Sequence, residues 1–313
     1  MHYRSFGNTG LQVSEISLGT AEIGMDYGFR GTRHYRRPDV HEAIYLIHAA
    51  LDLGINLLDT ARSYGDSERL IGLALKESAS KPYIVSKVFV PPEALQMKSS
   101  ALRQQIFLSI ETSLGQLGTD TLDVLLIHNT SAEHLLHSEV AECLREAQRE
   151  GKVRFFGASC YDEEVSLEAI RIPGVRALQV PFNILDQKAR HLVLPMAGNE
   201  GVATFVRSAY LRGILTDQIV HVPERLSPLR LQAERVLEAV DHSSSLAAVA
   251  LRFCLSYSTV SSVVMGVKSA QELRSNLRDA EAGGLPSDVL ATLEELSMEE
   301  SPLVDPRNWQ DLI

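Results

Sequence analysis

Short apolar runs alternate with longer amphipathic stretches along most of this chain. The apolar runs have the length of strands, whereas the stretches between them repeat apolar residues at the spacing of a helix that packs on one side. We expect strands at residues 16–18, 57–58, 84–85, 124–127, 153–156, 177–180, 202–206 and 263–264. We expect helices at residues 39–53, from about 66, at 99–117, 138–150, 162–170 and 187–199, in a long region reaching 257, and at 270–278.

The order of these elements predicts the fold class. The strands are short and almost continuously apolar, which is typical of strands buried on both faces. Alternation of strand and helix favours a parallel sheet with right-handed crossovers. Eight units predict a closed (β/α)8 TIM barrel, with an open doubly wound sheet as the alternative. We expect a single barrel domain over residues 1–313, with residues 28–38, 216–228 and the tail after 286 as additions.

A β-hairpin is predicted ahead of the barrel. Residues 3–6 and 11–13 flank the turn-forming sequence Gly7-Asn8-Thr9-Gly10. Glycine and asparagine between two apolar runs are typical of a hairpin turn. The fold class is therefore α/β, a TIM barrel with an N-terminal β-hairpin.

Composition and charge exclude several classes of protein. The formal net charge of −10 argues against a general nucleic-acid binder, which needs a basic face for phosphates. No apolar run approaches the ~18 residues of a membrane span, and no apolar signal core follows Met1. The three cysteines contain no Cys-x-x-Cys pair, which favours a reducing, cytoplasmic location.

Familiar phosphate and metal motifs are missing from the sequence. It contains no Gly-x-Gly-x-x-Gly after a strand, no Gly-x-x-x-x-Gly-Lys-Ser/Thr and no His-Glu-x-x-His. The nearest histidine pair is His134 and His137, whose spacing suits a metal ion, although the start of a solvated helix is the favoured interpretation. We therefore expect neither a Rossmann site nor a metal.

Four polar residues follow consecutive predicted strands, where the active site of a (β/α)8 barrel lies. They are Asp59, Tyr64, Lys87 and His128. Each alone has a structural interpretation, such as a cap, a rim charge or a core histidine. Together they make chemical sense, because an ammonium lowers the pKa of a nearby tyrosine and a carboxylate keeps the ammonium charged.

The same set defines a reaction class. A neutral histidine can donate to a substrate oxygen, and the tyrosine can serve as general acid for reduction or base for oxidation. No side chain donates a hydride, so the chemistry requires a cofactor.

The wider motif resembles a known family. The stretch Asn56-Leu57-Leu58-Asp59-Thr60-Ala61-Arg62-Ser63-Tyr64-Gly65, followed by Ser67-Glu68, is similar to the signature of the aldo-keto reductase superfamily. Residues 11–14, 19–20, 117–123 and 126–128 resemble it as well, and the resemblance runs from about residue 3 to 277. It implies that Asp59, Tyr64, Lys87 and His128 form the catalytic tetrad.

The resemblance also implies a dinucleotide cofactor, NADP(H) or NAD(H), across the barrel mouth. It matches Ser159 and Gln179 to contacts with the nicotinamide carboxamide, although Cys160 stands where the family usually has asparagine. It matches residues 207–215 to the pyrophosphate loop and residues 266–276 to the adenosine-phosphate segment. The implied cofactor residues are Gly19, Thr20, Ser159, Gln179, Arg207, Ser208, Leu211, Gly213, Gly266, Lys268, Glu272 and Asn276.

The choice between the two cofactors depends on the adenosine end. Glu272 stands where many members carry Arg or Gln, and its charge repels a 2′-phosphate but can accept a ribose hydroxyl. Lys268 and Arg274 are positively charged and therefore favour a 2′-phosphate. Ser269 is either a phosphate donor or an ordinary N-cap. Our hypothesis is that NADH is used, with NADPH as the alternative.

Substrate contacts are expected from Tyr27, Phe29, Arg30 and Asn129. The arginines of residues 30–37, including Arg30 and Arg33, suggest recognition of a phosphate, carboxylate or sugar, unless this is a solvated rim loop or a subunit contact. Tyr161 and Phe182 are further candidates. The predicted partner is a small carbonyl, sugar or alcohol, without nucleic acid or membrane; the oligomeric state stays open.

The predicted function is therefore reversible hydride transfer to an aldehyde or ketone, or from a sugar or alcohol. A cofactor-sensing binding protein with little turnover is the alternative. A metal-assisted barrel hydrolase or isomerase is a weaker third, because no ligand cluster supports it.

Overall fold

Eight parallel strands close into a barrel in the computed structural model, which describes residues 1–32, 34–240 and 244–309. The strand order around the barrel is β10-β3-β4-β5-β6-β7-β8-β9, so each strand pairs with its neighbour in sequence and the last pairs with the first. The barrel strands are β3 (Ile16–Gly19), β4 (Leu57–Asp59), β5 (Tyr83–Val88), β6 (Leu122–Ile127), β7 (Val153–Ser159), β8 (Val175–Pro181), β9 (Ala203–Arg207) and β10 (Ser262–Gly266). The prediction of a closed (β/α)8 barrel is confirmed.

Helices follow the strands and pack around the barrel. They are α1 (Ala21–Gly24), α2 (Val40–Asp52), α3 (Ser67–Lys76), α4 (Ser99–Leu117), α5 (Ala132–Leu136), α6 (Ser138–Arg149), α7 (Glu163–Arg171), α8 (Val193–Glu200), α9 (Ser227–Ala239), α10 (Leu246–Leu255), α11 (Ala270–Ala280) and α12 (Ser287–Glu294). In α2, the capping box of Asp39 and Glu42 fixes the first turn, while Leu46 and Ile47 are buried against the core.

The predicted hairpin is present and closes one end of the barrel. Strands β1 (Tyr3–Ser5) and β2 (Gln12–Ser14) pair antiparallel, with Tyr3 opposite Ser14. Phe6 and Leu11 join a buried cluster with the barrel residues Leu57 and Phe205. Because the hairpin packs beneath the strands, the opposite end, where the strands finish, is left to form a site.

The segment after β9 differs from the predicted long helix. It contains 3-10 turns over Leu211–Gly213, Asp217–His221 and Glu224–Leu226 before α9 begins. Proline cannot donate a backbone hydrogen bond inside a helix, and Pro223 precedes the last of these turns. Helices α5 and α12 were not predicted, because α5 spans a single turn and α12 lies in a tail without a preceding strand.

The histidine pair on α5 has structural partners. His134 is buried, and its ring nitrogens bond to the Ser131 hydroxyl at 2.7 Å and the Val90 carbonyl at 2.6 Å. His137 Nε2 lies 3.2 Å from the Leu95 carbonyl. The interpretation of His134 as part of a solvated helix start is wrong. Within residues 1–32, 34–240 and 244–309, no group of histidine, cysteine and acidic side chains has a metal-binding arrangement.

Two further predictions concern the chain as a whole. No helix among the described residues combines the length and apolarity needed to span a bilayer. The interpretation of residues 1–313 as one domain stays a prediction.

Candidate active site

Three of the four candidate catalytic residues lie in or directly after neighbouring strands, and the fourth lies in a loop between a strand and a helix. Asp59 ends β4, Lys87 lies in β5, and His128 directly follows β6, held by a 2.8 Å bond from its backbone N–H to the Val88 carbonyl. Tyr64 lies in the loop between β4 and α3. Asp59, Tyr64 and His128 line one cavity of about 290 Å³ at the strand ends, with Lys87 buried behind it.

A glycine on α1 permits the position of the Tyr64 loop. A Cβ on Gly24 would lie 2.0 Å from the Tyr64 carbonyl oxygen, so only glycine allows this approach. The Gly24 carbonyl accepts from the Asp66 N–H at 3.0 Å. This role of Gly24 could not be predicted from the sequence, because it depends on contact with the Tyr64 loop, a distant segment of the chain.

Lys87 and Asp59 form a buried ion pair. The ammonium donates to Asp59 Oδ1 at 2.6 Å and to the Thr60 carbonyl at 2.9 Å, and both ionic side chains are at least 95% buried. Burial lowers the pKa of Lys87, whereas Asp59 acts to raise it. Because removing two charges from water is costly, such a pair is better explained by a need for position than by stability.

Tyr64 lies against this pair. The Lys87 Nζ is 4.7 Å from the centroid of the Tyr64 ring. Burial raises the pKa of Tyr64 well above its ordinary value, and the Asp59 carboxylate raises it further. The net shift of this pKa is therefore opposite to the expected lowering by Lys87, because burial outweighs it in the chain on its own. At neutral pH the phenol is protonated.

His128 faces Tyr64 across the cavity. The two rings are nearly perpendicular, with centroids 5.6 Å apart. Burial lowers the pKa of His128 to about 3, helped by the positive charges of Lys87 and Arg207. The ring is therefore neutral, as expected, and its Nδ1 lies 3.1 Å from the Ser63 hydroxyl.

Most of the residues implied for the cofactor surround the same cavity. The lining members are Gly19, Thr20, Arg207, Ser208, Leu211, Gly213, Gly266, Lys268 and Glu272. Ser159 and Gln179 are buried outside this lining set, as is Asn276 on α11. The structure therefore brings together nine of the twelve implied cofactor residues along one surface.

Several of these polar groups already have partners within the protein. Gln179 donates to Asp59 Oδ1 at 2.9 Å, and its side-chain oxygen lies 3.4 Å from the Ser159 hydroxyl. The Thr20 hydroxyl bonds to the Asp59 carbonyl at 2.8 Å and to the Ser67 hydroxyl at 2.5 Å. These side chains hold Asp59 in position.

The loop after β9 has an unusual backbone that suits a polar ligand. Ser208, Leu211 and Arg212 adopt left-handed φ values of 65°, 43° and 54°. Left-handed non-glycine residues cluster at functional sites, where strain is part of the design. The hydroxyl of Tyr210, which lines the cavity, has no hydrogen-bond partner among the described residues. A strained loop and an orphaned hydroxyl fit a cofactor with polar groups.

The family is shown by comparison with known proteins. The model of the Aldo/keto reductase family matches residues 15–298. The chain belongs to the aldo/keto reductase family. It is therefore an NAD(P)H-dependent oxidoreductase in the broad sense of that family.

Individual relatives agree with this assignment. The chain is 31% identical over 223 residues to the aldo-keto reductase YhdN of Bacillus subtilis, a match that covers 70% of this chain and 65% of that protein. It is 26% identical to the NADH-specific methylglyoxal reductase of Escherichia coli, covering 87% and 91%. An aldo-keto reductase of Bacillus halodurans in its holo form shares the fold, with a TM-score of 0.78, 24% identity and coverage of 96% and 97%.

The residues that the resemblance matches to the adenosine phosphate form hydrogen bonds within the protein. Ser269 is the N-cap of α11, accepting from the Glu272 N–H at 3.1 Å. Glu272 in turn accepts from the Lys268 backbone N–H at 3.0 Å. Arg274 donates to the Ala270 carbonyl at 3.5 Å and to the Tyr45 hydroxyl at 3.4 Å. The N-cap interpretation of Ser269 is thus confirmed.

The structure places three of the four predicted substrate residues at the cavity and one away from it. Tyr27, Phe29 and Asn129 line the cavity. Phe29 is also 96% buried and stacks on Trp309, with centroids 6.1 Å apart. Arg30 is exposed and is not among the residues that line the cavity, so its expected substrate contact is not supported. Arg33 lies outside the described residues.

Several residues that line the cavity were not predicted from the sequence. Among them are Glu22, Tyr210, His221 and Pro306. Burial raises the pKa of Glu22 to about 7, and its carboxylate lies where a Cβ on Gly266 would be, 2.4 Å away. No motif signalled these residues, although the position of Glu22 three residues after Gly19 places it just beyond the end of β3.

Proposed function

We propose that this aldo-keto reductase reversibly reduces an aldehyde or ketone, with Tyr64 as general acid and base. The observation that supports the proposal is that Tyr64 and His128 line one cavity while the Lys87–Asp59 pair is buried directly behind the Tyr64 ring. Hydrogen-bond donors from two sides can converge on one carbonyl oxygen in this arrangement.

The protonation states suit the direction of reduction. Because burial raises the pKa of Tyr64, the phenol carries its proton at neutral pH and can give it to an alkoxide that forms beside it. The neutral ring of His128 can donate from Nε2 when Ser63 donates to Nδ1. Lys87 then stabilises the phenolate that remains, while Asp59 and Gln179 keep the ammonium in place.

The cofactor, when bound, supplies the hydride. Ser159 and Gln179 would meet its carboxamide, and the backbone of residues 208–213 would meet its phosphates. Glu272, on the cavity rim, would accept from a ribose hydroxyl and disfavour a 2′-phosphate. NADH is therefore the proposed cofactor, and the relative that is an NADH-specific enzyme supports this choice.

The test is turnover with a panel of aldehydes, aldoses, inositols and ketosteroids, each with NADH and with NADPH, followed by the absorbance of the reduced nicotinamide. We expect reduction of at least one aldehyde with a preference for NADH. Tight cofactor binding without turnover of any compound would instead support the cofactor-sensing protein. A large preference for NADPH would contradict the proposed role of Glu272.

A further inference from the structure

Lys268 follows β10 at the cavity rim, and its ammonium group donates hydrogen bonds to three backbone carbonyls. Its Nζ donates to the Tyr27 carbonyl at 2.8 Å, to the Tyr35 carbonyl at 3.1 Å and to the His34 carbonyl. A lysine ammonium has three N–H donors and no acceptor. All three donors are therefore used within the protein, and all three acceptors lie in one loop.

These acceptors form the neck of the loop over residues 25–32 and 34–37, here called the front loop. The Tyr27 N–H donates to the Tyr35 carbonyl at 2.9 Å, and the Arg37 N–H donates to Asp26 Oδ1 at 2.9 Å. The two ends of the front loop thus lie side by side, and the Lys268 ammonium sits where they meet. Other long-range contacts of the front loop lie beside this one, among them the 2.8 Å ion pair of Arg37 with Asp66 and the stacking of Phe29 on Trp309.

The front loop forms one wall of the catalytic cavity. Tyr27, Gly28, Phe29, Thr32 and His34 all line it. The loop also meets the segment after β9 on the other side of the cavity.

Two ring contacts make this bridge. The Arg212 guanidinium lies 4.2 Å from the centroid of the Tyr27 ring, and the rings of His34 and His221 are 6.3 Å apart. The position of the neck therefore sets the shape of the substrate side of the cavity.

We propose that Lys268 is a positioning residue that holds the front loop as a wall of the substrate pocket, rather than a ligand of the cofactor phosphate. The inference rests on the proposed function for its kinetic consequence, but its structural consequence does not. A phosphate could recruit this ammonium only by displacing one of the three carbonyls, each of which accepts a charge-assisted bond. Lys268 therefore shapes substrate affinity and does not discriminate NADPH from NADH.

The test compares Lys268→Met, Lys268→Gln and the control Arg274→Met, which removes a neighbouring basic side chain that does not reach the front loop. Arg30 and Arg36 are exposed front-loop sites for trypsin. Loss of the three bonds should raise the rate of cleavage at these sites by about tenfold in Lys268→Met, because cleavage follows local opening. Lys268→Gln, which keeps two donors, should lie between wild type and Lys268→Met.

Kinetics provide the second readout. In Lys268→Met the KM for the carbonyl substrate should rise about fivefold or more, whereas the ratio of kcat/KM with NADPH to that with NADH should stay within about twofold of wild type. Unchanged trypsin cleavage together with a selective loss of NADPH use would overturn the inference. The cleavage assay needs no turnover. It therefore tests whether Lys268 holds the front loop even if the proposed catalytic function is wrong. If Lys268→Met does not fold, cleavage of Lys268→Gln decides.

Discussion

The candidate catalytic end and the proposed adenosine end of the cavity are built in different ways. At the catalytic end, Asp59, Lys87 and His128 lie in or directly after adjacent barrel strands, so the strand register fixes their spacing. At the adenosine end, Lys268 and Glu272 lie in a turn and the first turn of a helix, where their groups bond to loop carbonyls and to a backbone N–H. Position along a strand therefore predicts where a side chain lies better than position in a loop does.

Removal of the Lys87 charge should produce the largest effect at the catalytic end. Lys87→Met leaves Asp59 buried without its ion-pair partner, which should cost about 3–5 kcal/mol of unfolding free energy. Turnover should fall by about 10²-fold or more, because the phenolate of Tyr64 loses its cation. Denaturant unfolding and steady-state kinetics measure the two effects.

The double variant Lys87→Met/Asp59→Asn serves as the control. It should recover part of the lost stability, because no buried charge is left unpaired, but it should recover no activity. Stability equal to that of Lys87→Met alone would show that the ion pair is not what the single substitution breaks.

The pH dependence of stability tests the environment of His128. Its pKa is about 3 in the folded chain against an ordinary value of 6.5, so only the unfolded chain takes up this proton between those values. Folding stability should therefore fall as the pH decreases from 6.5 towards 3, and His128→Gln should show less of this fall. The measurement is the unfolding free energy of the wild type and of His128→Gln at each pH across this range. Parallel curves would contradict a neutral, desolvated His128.

A smaller change is expected at the adenosine end. Glu272→Gln removes a negative charge at the rim but keeps an oxygen that can accept from the Lys268 N–H. The kcat/KM with NADPH should improve by about threefold to tenfold relative to NADH, since repulsion of a 2′-phosphate is relieved. An unchanged cofactor ratio would mean that Glu272 does not face the adenosine ribose.

Arg30→Ala should have the smallest effect. Arg30 is exposed and lies off the cavity lining, so KM for anionic and neutral substrates should both stay within about twofold of wild type. A selective rise in KM for anionic substrates would restore the original hypothesis for the arginine-rich loop.

The barrel and the positions of the candidate catalytic residues could be predicted from sequence because both follow from local pattern. Apolar runs locate the strands, and the residues that end them must lie at one mouth, as Asp59 and His128 do. The 3-10 turns after β9 were missed although Pro223 signals a break in that segment, because a proline does not show where the turns on either side of it begin and end.

The remaining features depend on contacts between distant segments. Glu22 lies in the cavity because Gly266, over 240 residues later, leaves it room, and Lys268 bonds to carbonyls of the front loop. The lowered pKa expected for Tyr64 failed because the sequence does not show how deeply the phenol is buried, and burial is the largest cause of the upward shift. Pairwise contacts of this kind carry no signal in a single sequence.

Tyr64→Phe tests the central claim most directly, because it removes one hydroxyl and keeps the ring beside Lys87. Reduction of an aldehyde under single-turnover conditions should fall by about 10²-fold or more, while the Kd for NADH, measured by fluorescence, should stay within about threefold of wild type. Reduction at the wild-type rate with normal cofactor binding would show that another group protonates the carbonyl oxygen.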